Sequence, residues 1–218
     1  MKKFNCILPK FIVLFALLAF SCSGSAKKTE VAGGGTSEET NALTESGMLS
    51  FEKPNSYVAS AEDGAKFSAA TAFEISTWVK IDSLPQKSGL PHNLIGKFYA
   101  DSSSLPAEFS LAILNGACGT AVPTFAFFLT DETDEFSCDH AILSKKPVIA
   151  DKWTFVEVKW DGHYLTLYQD GSTVATEEKI IAALPFSNLP VYLGKSKVPF
   201  AINKFSLNAK LSLNSEAL

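Results

Sequence analysis

The chain has 218 residues, a formal net charge of −4, no arginine, and a hydrophobic share of 46%. An acidic, arginine-free chain is a poor candidate for nucleic acid or anionic lipid, because guanidinium forks and basic patches carry that recognition. The stretch from residue 47 onward suits one domain, large enough to bury a core unaided.

Residues 1–21 read as a secretory signal. Lys2, Lys3 and Lys10 precede an apolar run from Phe11 to Phe20, which is shorter than the roughly 20 residues that span a bilayer and suits an h-region. The run ends Leu18-Ala19-Phe20-Ser21-Cys22. This resembles the lipobox of bacterial lipoproteins, with the departure that Ala19 stands where the family prefers Leu. The resemblance implies cleavage before Cys22, a palmitate-type lipid on it, and contact with a membrane through that N-terminal lipid only. The expected location is the bacterial cell envelope, at the outer membrane or cell surface. Ser23 behind the cysteine agrees with the outer membrane under the enteric sorting rule. Losing Lys2, Lys3 and Lys10 moves the charge from −4 to −7. Residues 22–46 would be the lipidated cysteine and a tether, since their Ser, Gly, Thr, Lys and Glu bury too little to offset the entropy of ordering.

Within the remaining domain two cysteines are left, Cys118 and Cys138. In an oxidising compartment they are expected to form a disulfide, closing a loop whose chain-entropy contribution is about 3 kcal/mol; two free thiols are the alternative. Neither has a partner at zinc-ligand spacing.

The domain opens with two short strands, GMLSFE from Gly47 and SYVAS from Ser56, joined across Lys53-Pro54-Asn55. A long strand follows over Ala72–Ile81, with Phe73, Ile75, Val79 and Ile81 on one face and Glu74, Ser76, Trp78 and Lys80 on the other. Further strands are expected over 93–99, 108–114, 124–130 and 141–144. From Lys152 to Thr176, three runs rich in Val, Thr, Phe, Tyr and Trp are separated by Asp161-Gly162 and Asp170-Gly171. Asp-Gly between β-formers favours type I′ turns, so this stretch is a three-strand meander. Its pleat sets Val156, Val158 and Trp160 against Trp153, Phe155, Glu157 and Lys159. The last strands are expected from Val191 and from Lys204. Residues 177–183 are the one helical candidate, and many short strands without a long helix imply a sandwich or barrel.

The ordered series GMLSFEKPNSYVAS, TAFEISTWVKIDSLP, LIGKFY, DKWTFVEVKWDGHYLTLYQDGSTVAT and LPVYLGKS resembles the laminin-G-like jelly-roll domains of the concanavalin A-like lectin and glucanase superfamily. The resemblance covers residues 47–218 and implies an all-β sandwich of two antiparallel sheets. It also implies ligand or calcium sites on loops at one rim. The closing motif departs from the family: Ile202-Asn203-Lys204-Phe205 replaces Ile-Asp-Glu-Val. First and last strands should still pair through their backbones.

Chemistry is scarcer. Retaining glycosidases of the superfamily need two carboxylates on one strand, and the nearest cluster, Asp131-Glu132-Thr133-Asp134-Glu135, reads as a hairpin loop because Asp and Glu are depleted in strands. His92, His140 and His163 lack ligand spacing, and no Gly-Xaa-Ser-Xaa-Gly occurs. A non-catalytic recognition module for glycan or protein is therefore the first reading. A structural envelope component without a small ligand is the second, and a divergent glycoside hydrolase the third. Sugar-holding candidates are Trp78, Tyr99, Asp101 and Trp153, with Asp131 and Asp134 on the acidic loop, which also offers oxygen ligands to calcium. The competing role for Trp78 and Trp153 is packing within or between the sheets. The meander itself reads as scaffold, which directs the search for a ligand to loops and the opposite sheet face.

Overall fold

The computed structural model describes residues 48–98, 106–129, 137–179, 183–184, 187–194 and 196–211. The signal, Cys22 and the tether lie outside them. Among the described residues twelve strands and one short α-helix follow in order: β1 (Met48–Phe51), β2 (Tyr57–Ser60), α1 (Ala61–Phe67), β3 (Ala70–Ile81), β4 (His92–Phe98), β5 (Pro106–Leu114), β6 (Thr124–Leu129), a 3-10 turn at Cys138–His140, β7 (Ala141–Pro147), β8 (Trp153–Trp160), β9 (Tyr164–Gln169), β10 (Ser172–Glu178), β11 (Val191–Gly194) and β12 (Phe200–Leu211).

They form two six-stranded sheets, one in the order β1-β12-β3-β8-β9-β10 and the other β2-β11-β4-β5-β6-β7. Every pairing within them is antiparallel, as expected of a concanavalin A-like jelly roll. The first strand does pair with the last, Leu49 opposite Ile202 and Phe51 opposite Phe200. The two opening strands, adjacent in sequence, belong to different sheets. Among the described residues all twelve strands, the core and the disulfide lie within Met48–Leu211, so this domain carries its own core, the property that lets a unit fold by itself.

In the first sheet alternation governs burial. Along β8 every second residue, from Thr154 to Trp160, is buried, and along β3 Phe73, Ile75, Thr77, Val79 and Ile81 are buried. These meet Phe109, Leu111, Ile113, Phe125 and Phe127 from the second sheet in one cluster. Phe73 lies 5.5 Å from Trp160 and 5.8 Å from Phe127 between ring centroids, and such tilted pairs add to area burial.

The second sheet breaks the alternation. All six residues of β6 are buried, as are the residues Asn93–Phe98 of β4. The β5–β6 connection explains part of this by folding back over the sheet's outer face, where Ala117 and Cys118 pack with Ala112, Leu114, Ala126, Phe128 and Ala141. Cys118 is bonded there to Cys138, with Cα atoms 5.3 Å apart. Helix α1 packs against strands of both sheets, β12 and β3 of the first and β11 of the second; its Phe67 enters the core cluster beside Phe73 and Phe109, and its Gly64 meets the segment at Ser187–Leu189. A Cβ on Gly64 would lie 2.1 Å from the Leu189 carbonyl oxygen, so only glycine permits that contact. Next to this contact Lys97 and Glu108 form a fully buried pair, Nζ to Oε1 2.9 Å. Lys97 also donates to the Gly64 carbonyl, and Ser187 to Glu108.

Several expectations need correction. The helical candidate at 177–183 is wrong at its start, because Glu177 and Glu178 belong to β10, paired with Leu165 and Tyr164. The helix is α1, where Ser60 caps the first turn by accepting from the Asp63 N–H. Only seven residues long, it carries too few turns for a 3.6-residue pattern to show. The two Asp-Gly turns also differ. Asp170 and Gly171 both take positive φ, 51° and 72°, as a type I′ turn requires. Of the other pair only Gly162 does. The Asp161 carboxylate instead accepts from the His163 and Tyr164 N–H groups, and these bonds hold its pKa below the ordinary carboxylate value. The closing strand starts at Phe200 rather than Lys204, which sits at an irregularity in the β12–β3 register with φ of 51°.

Candidate functional site: an aromatic sheet face

The outer face of the first sheet is open, and it gathers the aromatic residues that alternation excludes from the core. Register places Trp78 of β3 opposite Phe155 of β8 and Asn203 of β12, and Lys80 opposite Trp153. Trp78 and Trp153 therefore share one face on neighbouring strands, with Phe155 beside Trp78 at a centroid distance of 5.4 Å. Trp78 is 37% exposed and Trp153 and Phe155 are half-buried. Neither tryptophan packs between the sheets.

Polar groups frame these rings. On one side Lys80 pairs with Asp82 at 3.1 Å. On another, the Asp170 carboxylate accepts from the Phe155 N–H at 3.0 Å and meets Lys152 at 3.4 Å, so the Asp-Gly turn fixes the β8 end of the platform. Glu157 stands opposite both Ser76 and Tyr168. Lys159 bridges Glu157 at 3.2 Å and Glu74 at 3.6 Å and lies 5.6 Å from the Tyr168 ring centroid. Its hydrogen bond to Glu157 raises the Lys159 pKa above the ordinary value against a lowering by burial. The Asn203 side-chain oxygen, opposite Trp78, is buried without a hydrogen-bond partner.

Such a face can stack the C–H side of a sugar ring or another flat apolar surface while charged and amide groups take the edges. Its two carboxylates, Glu74 and Glu157, are both ion-pair partners of Lys159. Among the described residues no three His, Cys, Asp or Glu side chains converge to hold a metal. His92 is half-buried, with Nε2 3.4 Å from the Ser88 hydroxyl, while His163 pairs with Glu178 at 3.0 Å.

Of the residues singled out from sequence, the structure brings Trp78 and Trp153 together. Tyr99, Asp101, Asp131 and Asp134, and with them the calcium expectation, lie outside the described residues. The reading of the meander as mere scaffold needs revision, since β8 and β9 contribute Trp153, Phe155 and Tyr168 to the aromatic face. The parity of KWTFVEVKW already put Trp153 and Phe155 on one side; only the β3–β8 register reveals that this side is also Trp78's. A second concavity, a cleft of about 400 Å³, runs beside the disulfide between Ala141, Leu143, Lys145, Ala175 and Glu177, and no aromatic side chain is among these.

Residues 52–209 match the model of a laminin-G type family described as the concanavalin A-like lectin/glucanases superfamily. The chain belongs to this family. No curated protein matches it significantly. Among solved structures, the laminin-G fold of this chain is similar to a botulinum neurotoxin type C structure, described with cell entry dependent upon interaction with two ganglioside molecules, at a TM-score of 0.54 and 17% identity. It is likewise similar to the binding domain of botulinum neurotoxin DC in complex with SialylT, at 0.55 and 16%. Both similarities cover 79% of this chain and 41% of the other. A third is the ligand-binding domain of serotype D in complex with N-acetylneuraminic acid, at 0.53 and 14%, covering 75% of this chain and 39% of that one. The chain thus spans about two-fifths of these neighbours' length, and at such identities the likeness is one of fold.

Proposed function

We propose that this laminin-G-type domain is a non-catalytic recognition module that binds carbohydrate on the outer face of its first sheet. The observation that carries the reading is the side-by-side display of Trp78, Phe155 and Trp153 with Lys80, Asp82 and Glu157 at the edges. Aromatic side chains of this size normally bury themselves, and here two tryptophans and a phenylalanine share one solvent-facing patch. Solved neighbours of the same fold that are described with ganglioside, SialylT or N-acetylneuraminic acid agree with a glycan ligand. The signal-like first 21 residues and the lipobox-like stretch before Cys22 support an envelope lipoprotein as the setting of this domain.

A glycan array probed with residues 47–218 tests the binding. Wild type should give a reproducible set of bound glycans, and Trp78→Ala and Trp153→Ala should each weaken binding by about 2 kcal/mol or more, as central aromatic anchors do. Tyr164→Ala, at the far end of the same face, should not. A blank array, or tryptophan variants that bind as wild type does, would reject the platform. For the anchor, a palmitate analogue fed to cells should label wild type and not Cys22→Ala; equal labelling of both removes the lipoprotein.

A further inference from the structure

The sequence-wide acidity conceals a local reversal. Strand register puts the ends of β3, β5 and β7 and the starts of β4, β6 and β8 at one end of the sandwich: Ile81 pairs with Phe200, Lys80 with Trp153, His92 with Ile113, and Thr124 with both Leu114 and Pro147. Backbone bonds tie the three connections there together. Ser88 N–H donates to the Asn115 carbonyl at 2.8 Å, Val148 to Pro123 at 2.8 Å, and Asp151 to Ile81 at 2.8 Å.

On these connections stand Leu84, Leu90, Val122 and Ile149, which are 40–54% exposed. With Trp78, just inside the same end, they make five of the six large hydrophobics that are exposed among the described residues; Tyr164 at the other end is the sixth. Singly exposed aliphatics are ordinary, but their collection on adjacent loop tips is not. The same stretches, residues 80–92, 115–124 and 145–153, hold Lys80, Lys87, Lys145, Lys146 and Lys152 against Asp82 and Asp151; Asp170 of the adjoining β9–β10 turn pairs with Lys152, and Asp82 with Lys80, which leaves lysine in excess, five to three, in a chain whose net charge is −4.

We infer that this loop rim seats on an anionic lipid surface, its aliphatic tips entering the headgroup boundary while the surrounding lysines remain at phosphate level. Lysine suits that position because its long apolar stem lies along the tips and its ammonium reaches back to water. Each lysine near an anionic surface adds to the attraction. A protein partner fits less well, since protein interfaces draw their binding energy from aromatic and arginine anchors set in pockets, and the tips are aliphatic and on separate loops. The inference stands apart from the glycan reading and from Cys22: it concerns the folded domain's own contact with the membrane.

Vesicle co-sedimentation of residues 47–218, which lack the signal and Cys22, tests it with phosphatidylcholine vesicles and with vesicles containing phosphatidylglycerol. Neither vesicle carries glycan, so the outcome is independent of the sheet platform. Wild type should partition onto the anionic vesicles and lose them as salt rises. Leu84→Ser combined with Leu90→Ser, or Val122→Ser with Ile149→Ser, should reduce partitioning about tenfold or more, as loss of two half-exposed aliphatics predicts. Tyr164→Ser should bind as wild type. All five positions are exposed, so the variants keep the fold, which circular dichroism verifies. No sedimentation with anionic vesicles, or equal partitioning of the paired loop variants and Tyr164→Ser, overturns the inference.

Discussion

The two sheets are built from similar strands and differ in what becomes of their outer faces. In the first, the outer row of Trp78 and Phe155 meets solvent, framed by ion pairs of which Lys159–Glu74 is itself exposed. In the second, the equivalent positions hold Ala112, Ala126 and Phe128, all with almost no exposure, beneath a folded-back loop and a disulfide. Covering a face turns it into a second core and removes it from recognition. The sheet left bare is the one with room to bind.

Perturbations should separate the sheets, and the largest effect belongs to the second. Lys97→Met would leave Glu108, whose Oε2 already lacks a partner, as an uncompensated buried charge, and denaturant unfolding should show a loss of about 3–5 kcal/mol. Adding Glu108→Leu should return most of it. Phe128→Ala, at 1% exposure, should cost about 3–5 kcal/mol by the same measurement, whereas Trp78→Ala, also on an outer face, should cost only about 1 kcal/mol for its cross-strand pair with Phe155. Comparable losses at the two sites would dissolve the distinction between the faces. Replacing Cys118 and Cys138 by Ser reopens a loop of sequence separation 20 and should cost about 3 kcal/mol, with the sugar-binding face unchanged on the array.

The smallest effect concerns pH. Burial, aided by Lys197, lowers the His92 pKa, so on acidification the unfolded chain takes up this proton first. Stability is therefore unaffected above about 6.5, the unfolded value, and falls as pH drops through it toward the lower folded pKa. Thermal unfolding of His92→Gln should show a weaker acid dependence over that window; an unchanged slope would mean that other groups dominate it.

Much of the first sheet was legible beforehand. The alternation in AFEISTWVKI and KWTFVEVKW assigns each residue to a face, because the strand period is two and one face is dry. Likewise the Asp170-Gly171 turn follows from backbone preference alone. Less of the second sheet could be read: TFAFFL and NLIGKF are apolar on both faces, and nothing local says what covers the outer one. Helix α1 was missed because a seven-residue helix leaves no periodic trace, and its cap at Ser60 adjoins a strand. On the site, the sequence pointed to Trp78 and Trp153 separately and parity set Phe155 on the side of Trp153, while Tyr168 and Asn203 joined them only through register.

By itself the sequence determined the fold class and the face of each residue in β3 and β8, since pleat parity and turn chemistry are local; it offered Cys118 and Cys138 as a pair with two free thiols as the alternative, and the structure shows the bond. Tertiary structure decided which faces remain open, that two tryptophans 75 positions apart in the chain, Trp78 and Trp153, lie on adjacent strands, and that lysines and aliphatics from three loops share one rim in an acidic chain. Those outcomes depend on strand register and on loops folding over sheets, which are sums of many long-range contacts and leave no mark within any single stretch of sequence.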